Sequence, residues 1–330
     1  MILKQFNESY LETCLSLWNE DVGFIFPFTY SMLKEKSIDC RYYSNEASFV
    51  AVDNGEVVGF IISKLFDDNP NIPKYKDTGW ISLIFVKREF RKKGYGKNLL
   101  EKAEEVLISK GAKTISVGGD IHNFFPGVPN DFDNTSDAFF KSNGYDVGYY
   151  THDLIKKLTP NDLVAYSSYN DNKYIENDVV YNVDLSYAKE EDRDSVLDFF
   201  KQSFFGRWYD EAIEYFNNKE IVKEYLLARV EGKIVGFLRV NNGLLKETSY
   251  NINWKNRFTK LVGIGPLGVD ANYRHHGIAK MLLYYAISDS YRNRYTDAMI
   301  DWTGLVTYYQ KLGFEVWKCY RYVKKNITDN

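Results

Sequence analysis

A six-residue pattern occurs twice in this chain, and its duplication is the tightest constraint on what the chain can fold into. Arg91-Lys92-Lys93-Gly94-Tyr95-Gly96 and Arg274-His275-His276-Gly277-Ile278-Ala279 both read Arg-x-x-Gly-x-Gly/Ala. Each follows an apolar run of β type, residues 80–86 or 261–269. Each also opens a run with apolar residues at helical spacing: Leu99, Leu100, Ala103, Val106 and Leu107, then Met281, Leu282, Tyr285 and Ala286. Two copies of one strand–turn–helix unit are implied.

The repeat extends on both sides of the motif. Residues 48–52 and 57–62 flank Asp53-Asn54-Gly55-Glu56, an Asn-Gly turn between apolar runs that predicts a β-hairpin. Residues 226–238, with Glu231-Gly232-Lys233 at the turn, predict the same hairpin again. Gly55 and Gly232 lie 177 positions apart, as do Gly59 and Gly236. After each helical run comes a short strand, residues 114–117 or 298–301. Each half then closes on a second shared signature, Phe139-Phe140-Lys141-Ser142-Asn143-Gly144-Tyr145 or Tyr308-Tyr309-Gln310-Lys311-Leu312-Gly313-Phe314. In both, an aromatic helix stops at a glycine and re-enters a strand.

At 330 residues the chain has the length of about two domains, and 45% hydrophobic residues supply two cores. The polar stretch over residues 158–178 marks the joint. We expect a first unit over 1–158, a linker over 159–177 with the cut near Asn170, and a second unit over 178–330. The halves differ in their loops. The first carries about 14 extra residues around Asn123-Phe124-Phe125-Pro126-Gly127-Val128-Pro129-Asn130, and the second a longer connection over 241–258 containing Trp254.

A formal net charge of −3 argues against a nucleic-acid-coating protein. Cys14, Cys40 and Cys319 are scattered, without metal-ligand spacing, and read as free thiols in a reducing cytoplasm. The N-terminus turns polar too soon for a signal peptide, and no apolar run approaches the roughly 18 residues that span a bilayer. A cytoplasmic protein acting without membrane or nucleic acid is expected, its oligomeric state open. The 27 tyrosines fill strands and half-buried surfaces, or line a cleft for a flat ligand.

A strand entering a helix through Arg-x-x-Gly-x-Gly exposes the first N–H groups of that helix. Glycine permits the tight turn, and the helix dipole favours an anion there. Lys87, Arg88, Lys92, Lys93 and Lys97 add a cationic rim in the first half. A dinucleotide-binding βαβ unit is excluded by order, because a hairpin precedes the motif and the third glycine is missing.

The full order of strand, helix, hairpin, strand, glycine motif, helix, strand, aromatic helix and strand resembles the GCN5-related N-acetyltransferase (GNAT) family. The resemblance rests on the two signatures, in order and duplicated, and covers nearly the whole chain outside the linker. It implies an α/β fold of two tandem domains. Each would have a mixed, mostly antiparallel sheet, splayed between its fourth and fifth strands and flanked by helices. It also implies acetyl-CoA as co-substrate and no metal. The pyrophosphate would lie on Arg91, Lys92, Lys93, Gly94, Tyr95 and Gly96, and on Arg274, His275, His276, Gly277, Ile278 and Ala279. The pantetheine arm would run along Leu267, Gly268 and Val269, or along Ile84, Phe85 and Val86 in the first half. The pair Gly265-Pro266 is expected to bulge the second of these strands.

The family's proton donor is often the tyrosine four residues before the closing glycine. That position is Tyr309 in the second half and Phe140, which has no proton to donate, in the first. The second half is therefore expected to be catalytic and the first a scaffold or cofactor-binding remnant. Tyr308 is expected to face the core. Asp301, at the end of the strand lining the cleft, can serve as base or orient a hydroxyl or ammonium. Asp270 is the weaker candidate. His275 and His276 sit in the phosphate loop as solvated or phosphate-contacting residues.

Residues 264–269 together with Ile300-Asp301-Trp302-Thr303-Gly304 also resemble tandem bacterial acetyltransferases, among them clostridial enzymes acting on glucosamine and glucosaminides in cell-wall recycling. Asp301 binding hydroxyl or amine and Trp302 presenting a ring face suit an amino sugar. Trp254 and the Phe124-Phe125-Pro126-Gly127 loop either wall that cleft or anchor loops. Acceptors left open are aminoglycosides, thiol precursors and protein lysines. An acetyl-CoA-binding sensor or scaffold without turnover is the reading from a different class.

Overall fold

The computed structural model describes residues 1–330 except 133–134, 170–171, 219–222, 246–248 and 328–330. The first half runs β1 (Ile2–Gln5), α1 (Leu11–Asp21), α2 (Tyr30–Lys36), β2 (Phe49–Asp53), β3 (Glu56–Leu65), β4 (Thr78–Val86), α3 (Tyr95–Ser109), β5 (Thr114–Val117), β6 (Val128–Pro129), α4 (Thr135–Ser142) and β7 (Asp146–Lys157). Then come α5 (Asn161–Tyr169) and β8 (Lys173–Glu176). The second half runs β9 (Val179–Tyr187), α6 (Arg193–Ser203), α7 (Arg207–Phe216), β10 (Tyr225–Val230), β11 (Lys233–Asn241), β12 (Leu261–Val269), α8 (Ile278–Arg292), β13 (Asp297–Thr303), α9 (Val306–Gln310) and β14 (Glu315–Asn326).

Local chemistry accounts for the punctuation. Asn54 and Gly55 both take positive φ, 47° and 85°, as the hairpin between β2 and β3 requires. Glu231 and Gly232 repeat the turn at 51° and 79°. Gly144 and Gly313, at 84° and 83°, stop α4 and α9. In both places the next residue's N–H returns to the aromatic residue four before the glycine: Tyr145 to Phe140 at 3.0 Å, Phe314 to Tyr309 at 3.2 Å.

The mixed sheet with flanking helices is as expected, but its continuity is not legible in the motifs. The strands join into one sheet in the order β1-β2-β3-β4-β5-β14-β7-β13-β12-β11-β10-β9-β8, with β6 beside β14. The last strand of each half sits in the other half's sheet. β7 pairs antiparallel with β13, and β14 pairs antiparallel with β5. The two exchanged strands then pair with each other from Glu315↔Ile155 to Lys324↔Asp146. Neither sheet is complete without the other's final strand, the arrangement of a swapped dimer written into one chain.

Residues 159–177, expected as a linker, hold α5 and β8; the cut proposed near Asn170 lies outside the described residues. Trp254 and Phe124-Phe125 are core rather than cleft wall. Trp254 is fully buried, its ring centroid 4.9 Å from Phe26, 5.3 Å from Phe125 and 6.1 Å from Phe28. A second-half loop is thereby fastened into the first half's aromatic core. Tyr308, expected inside, is exposed, while its neighbour Tyr309 is buried. The three cysteines are free, Cys14 and Cys40 buried. No helix among the described residues is long and apolar enough to cross a membrane.

Candidate active site

The sheet opens twice, at the two places the family resemblance implies. The parallel ladder between β4 and β5 runs from Thr78↔Thr114 to Ile81↔Val117 and stops. That between β12 and β13 runs from Leu261↔Asp297 to Gly263↔Met299 and stops. Beyond these points each strand pair diverges, leaving Leu267, Gly268 and Val269 on the open edge of the second half and Ile84, Phe85 and Val86 on that of the first. The ladder between β11 and β12 shifts register across Gly265-Pro266, so these two residues bulge opposite Arg239. The side-chain amide of Asn241 donates to the Gly265 carbonyl at 2.8 Å, and that of Asn251 does so at 3.4 Å.

The two glycine motifs share one backbone. Lys92 and His275 have φ of 61° and 68°, and Gly94 and Gly277 have 89° and 80°. Gly94 caps α3 and Gly277 caps α8, neither with a side-chain cap. Arg91 donates to the Val86 carbonyl at 2.8 Å and Arg274 to the Val269 carbonyl at 3.1 Å, so each arginine braces its turn. This geometry fits a pyrophosphate on N–H groups of the turn and helix. The surroundings differ. In the first half Asp21 pairs with Arg91 and, at 3.0 Å, with Arg88. A side chain at Gly96 would lie 3.4 Å from the Phe139 ring. In the second half His276 stacks on Tyr174 at 4.3 Å between centroids and faces Glu176 at 3.9 Å, which turns it toward β8.

The chemistry-bearing side chains converge on the second half. A cavity of about 500 Å³ is lined by Asp301, Trp302 and Tyr309 together with the Gly265-Pro266 bulge. Burial pushes the Asp301 carboxyl up to about 6, with its hydrogen bonds and the nearby Arg207 holding it from rising further. The Asn251 amide donates to it at 3.2 Å. Burial, reinforced by Tyr308 and Asp301, pushes the Tyr309 hydroxyl up to about 12, so it stays protonated at neutral pH. Asp270, the weaker candidate, accepts from Ser203 at 2.7 Å and caps the turn at Asn272, a structural role.

Several lining residues escaped the motif reading. Arg207, Glu211 and Glu214 follow the i, i+4, i+7 spacing that aligns side chains on one helix face, and on α7 that face looks into the cavity. Arg207 pairs with Glu211 at 2.6 Å and sits 5.5 Å above the Trp302 ring. Burial alone would raise the Glu211 carboxyl, but Arg207 and Arg239 outweigh it and hold it below its usual range. The first half supplies Lys74, Tyr75 and His122 to the wall. Asn69 and Asn71 donate to Asp210 of α7 at 3.0 and 2.8 Å, fixing that helix against the first half. The spacing on α7 was the one signal available in sequence; the first-half contributions had none.

The equivalent place in the first half is filled. By the register of the two parallel ladders, Gly118 stands where the second half has Asp301. A Cβ at Gly118 would approach the Phe125 carbonyl to 2.8 Å and the Gly127 nitrogen to 3.0 Å. Phe124, Phe125 and Phe140 are all buried. The extra loop of the first half occupies the space a carboxylate at Gly118 would need.

This architecture defines a duplicated acyl-transfer fold. The chain matches the Acetyltransferase (GNAT) family over residues 11–125 and 193–314 and belongs to that family. No curated protein matches the sequence. Among solved structures, it is similar to the GCN5-related glucosamine N-acetyltransferase region of a fungal multi-domain GH3 β-N-acetylglucosaminidase. That match has a TM-score of 0.84 at 21% identity, covering 98% of this chain and 38% of that one. The chain thus spans about two fifths of the fungal enzyme. A GCN5-related N-acetyltransferase from Sphaerobacter thermophilus aligns at TM-score 0.65 and 15% identity, covering 100% and 96%. A tandem GNAT protein of the clavulanic acid biosynthesis pathway aligns at 0.61 and 15%, covering 100% and 99%. At these identities the likeness is one of fold.

Proposed function

We propose that the chain is an N-acetyltransferase. It moves acetyl from acetyl-CoA to the primary amine of a small amino sugar, such as glucosamine or a glucosaminide. Transfer is direct, within a ternary complex in the second half. The observation that carries this reading is the single cavity that gathers Asp301 and Tyr309 at the divergence of β12 and β13. The glucosamine N-acetyltransferase region named for the fungal relative supports the choice of acceptor.

Arg274, His275, Gly277, Ile278 and Ala279 hold the pyrophosphate, and Leu267, Gly268 and Val269 the pantetheine arm. N–H groups on the open edge of β12 donate to the oxyanion that develops as the amine nitrogen bonds to the thioester carbon. Asp301, charged above about pH 6, takes the proton the amine must lose. As the carbon–sulfur bond breaks, the Tyr309 hydroxyl hydrogen-bonds to the departing sulfur, which leaves as thiolate and takes its proton from solvent, so that amide and free thiol result. Trp302 and the α7 face orient the acceptor. The first half contributes a wall and no chemistry, since Gly118 and Phe140 replace both reactive residues.

The test is a panel of amines incubated with acetyl-CoA and read by thiol release: glucosamine, its oligomers, an aminoglycoside and a lysine peptide. Glucosamine-type acceptors should turn over fastest. Absence of thiol release with every amino sugar would overturn the proposal, and preference for the peptide would move it to protein lysines.

A further inference from the structure

β13 does not run straight past β7. Its register with β7 passes from Ile300↔Leu154 to Thr303↔His152, so Asp301 and Trp302 together stand opposite the single residue Asp153. Such a bulge re-aims the side chains it contains. Trp302 takes a φ of 45°, a left-handed conformation that a tryptophan keeps only where its surroundings hold it. Its N–H, removed from the ladder by the bulge, donates to Asp153 Oδ1 at 3.1 Å. The other carboxylate oxygen of Asp153 accepts from the Tyr250 hydroxyl at 2.6 Å and the Tyr320 hydroxyl at 2.9 Å. Asp153 is completely buried. The group that secures the bulge is therefore carried by β7, the strand exchanged from the first half.

We infer that Asp153 is a positioning residue for the second half's site: it holds the Asp301–Trp302 bulge that presents the Asp301 carboxylate to the cavity. Through it the first half, itself without the reactive residues, becomes necessary to catalysis. This rests on the role proposed for Asp301. Three elements face Asp153: β13 with Asp301 and Trp302, the single helical turn Tyr250–Ile252 with Tyr250, and β14 with Tyr320 and Cys319; Arg207 and Glu211 of α7 act in turn on Asp301. Burial and then the Asp301 charge push Asp153 up to about 7, against the pull of its three donors. Asp153 therefore holds its proton more readily while Asp301 is charged.

Two substitutions separate positioning from packing. Asp153→Asn keeps an acceptor for the Trp302 N–H, whereas Asp153→Ala removes it. The first readout needs no turnover: hydrogen exchange at the Trp302 amide, with Asp carboxyl titration followed by carbon-13 NMR in the intact chain. Protection should persist in Asp153→Asn and be lost in Asp153→Ala, and the Asp153 midpoint should fall in Asp301→Asn as the neighbouring charge disappears. The second readout is kinetic, at a temperature where each variant is folded. Asp153→Asn should keep kcat within about threefold. Asp153→Ala, which releases the Trp302 N–H and so the bulge, should lose about 10- to 100-fold in kcat with the KM for acetyl-CoA unchanged. Wild-type kcat or unaltered Trp302 protection in Asp153→Ala, or an Asp153 midpoint indifferent to Asp301→Asn, would each overturn the inference. If wild-type protein acetylates no amine, the proposed function fails while the exchange and titration data still judge Asp153.

Discussion

Replacing Tyr309 with phenylalanine removes one oxygen and keeps the ring, whose centroid lies 5.2 Å from Tyr308 and 6.2 Å from Phe314. The packing of α9 against β14 is thus preserved, and the effect isolates the hydroxyl. Its size follows from two acidities. The phenol sits at about 12, while a free thiol titrates near ~8.5, so complete transfer of the proton to the leaving sulfur is uphill by about 5 kcal/mol. The hydroxyl therefore acts chiefly as a hydrogen-bond donor to the developing negative charge. Such a bond contributes about 1.5–3 kcal/mol, which corresponds to a fall in kcat of about 10- to 150-fold. The assay is thiol release from acetyl-CoA with saturating glucosamine, accompanied by a melting curve. A variant with wild-type kcat would remove Tyr309 from the reaction. A loss beyond about 10⁴-fold would refute the hydrogen-bond account and require complete proton transfer.

Asp301→Asn should abolish the acid limb near pH 6 along with most activity, yet raise the melting temperature at pH 8. The sign follows from Asp301's folded pKa of about 6, raised above the ordinary 3.8 of an aspartate: the folded state binds more protons, so stability falls as pH rises from about 4 through 6. At pH 4 variant and wild type should melt alike; a variant less stable at pH 8 would refute the burial of the charge. Trp254→Ala, which empties the aromatic seam between the halves, should cost about 3–5 kcal/mol in urea unfolding, and a cost below about 1 kcal/mol would contradict its place in the core. Calorimetry should count one CoA per chain, because Asp21 already pairs with Arg91 and Arg88 at the first motif; two equivalent sites would show that the first cradle remains open. Protease nicking within residues 159–177 should leave both pieces in one complex on a sizing column, since each contributes a strand to the other's sheet; their separation would contradict the exchange.

Much of this protein was legible because its information is local. A glycine that must take positive φ, an Asn-Gly turn and a helix stopped four residues after an aromatic ring are decided within a few positions. Both motifs, both hairpins and both closing signatures could therefore be read and aligned. The contrast of Phe140 with Tyr309 followed from that alignment alone. Tyr308 was misplaced because a five-residue helix is too short for its periodicity to tell which of two adjacent tyrosines turns inward. Trp254 and Phe125 could not be placed, since an aromatic residue in a loop packs equally well against a ligand or against another loop.

The sequence by itself determined the repeating unit, the two glycine turns and which half has a tyrosine four residues before its closing glycine, because each depends on residues near one another in the chain. Only the tertiary structure decided the exchange of β7 and β14, the α7 face in the cavity and the wall built from Lys74, Tyr75 and His122. It alone set Asp153 beside Trp302, 149 positions away. Strand pairing is specified by register and burial over the whole sheet, and either closing strand has the composition to pair in either half. Tertiary packing therefore determines how two similar halves become one site.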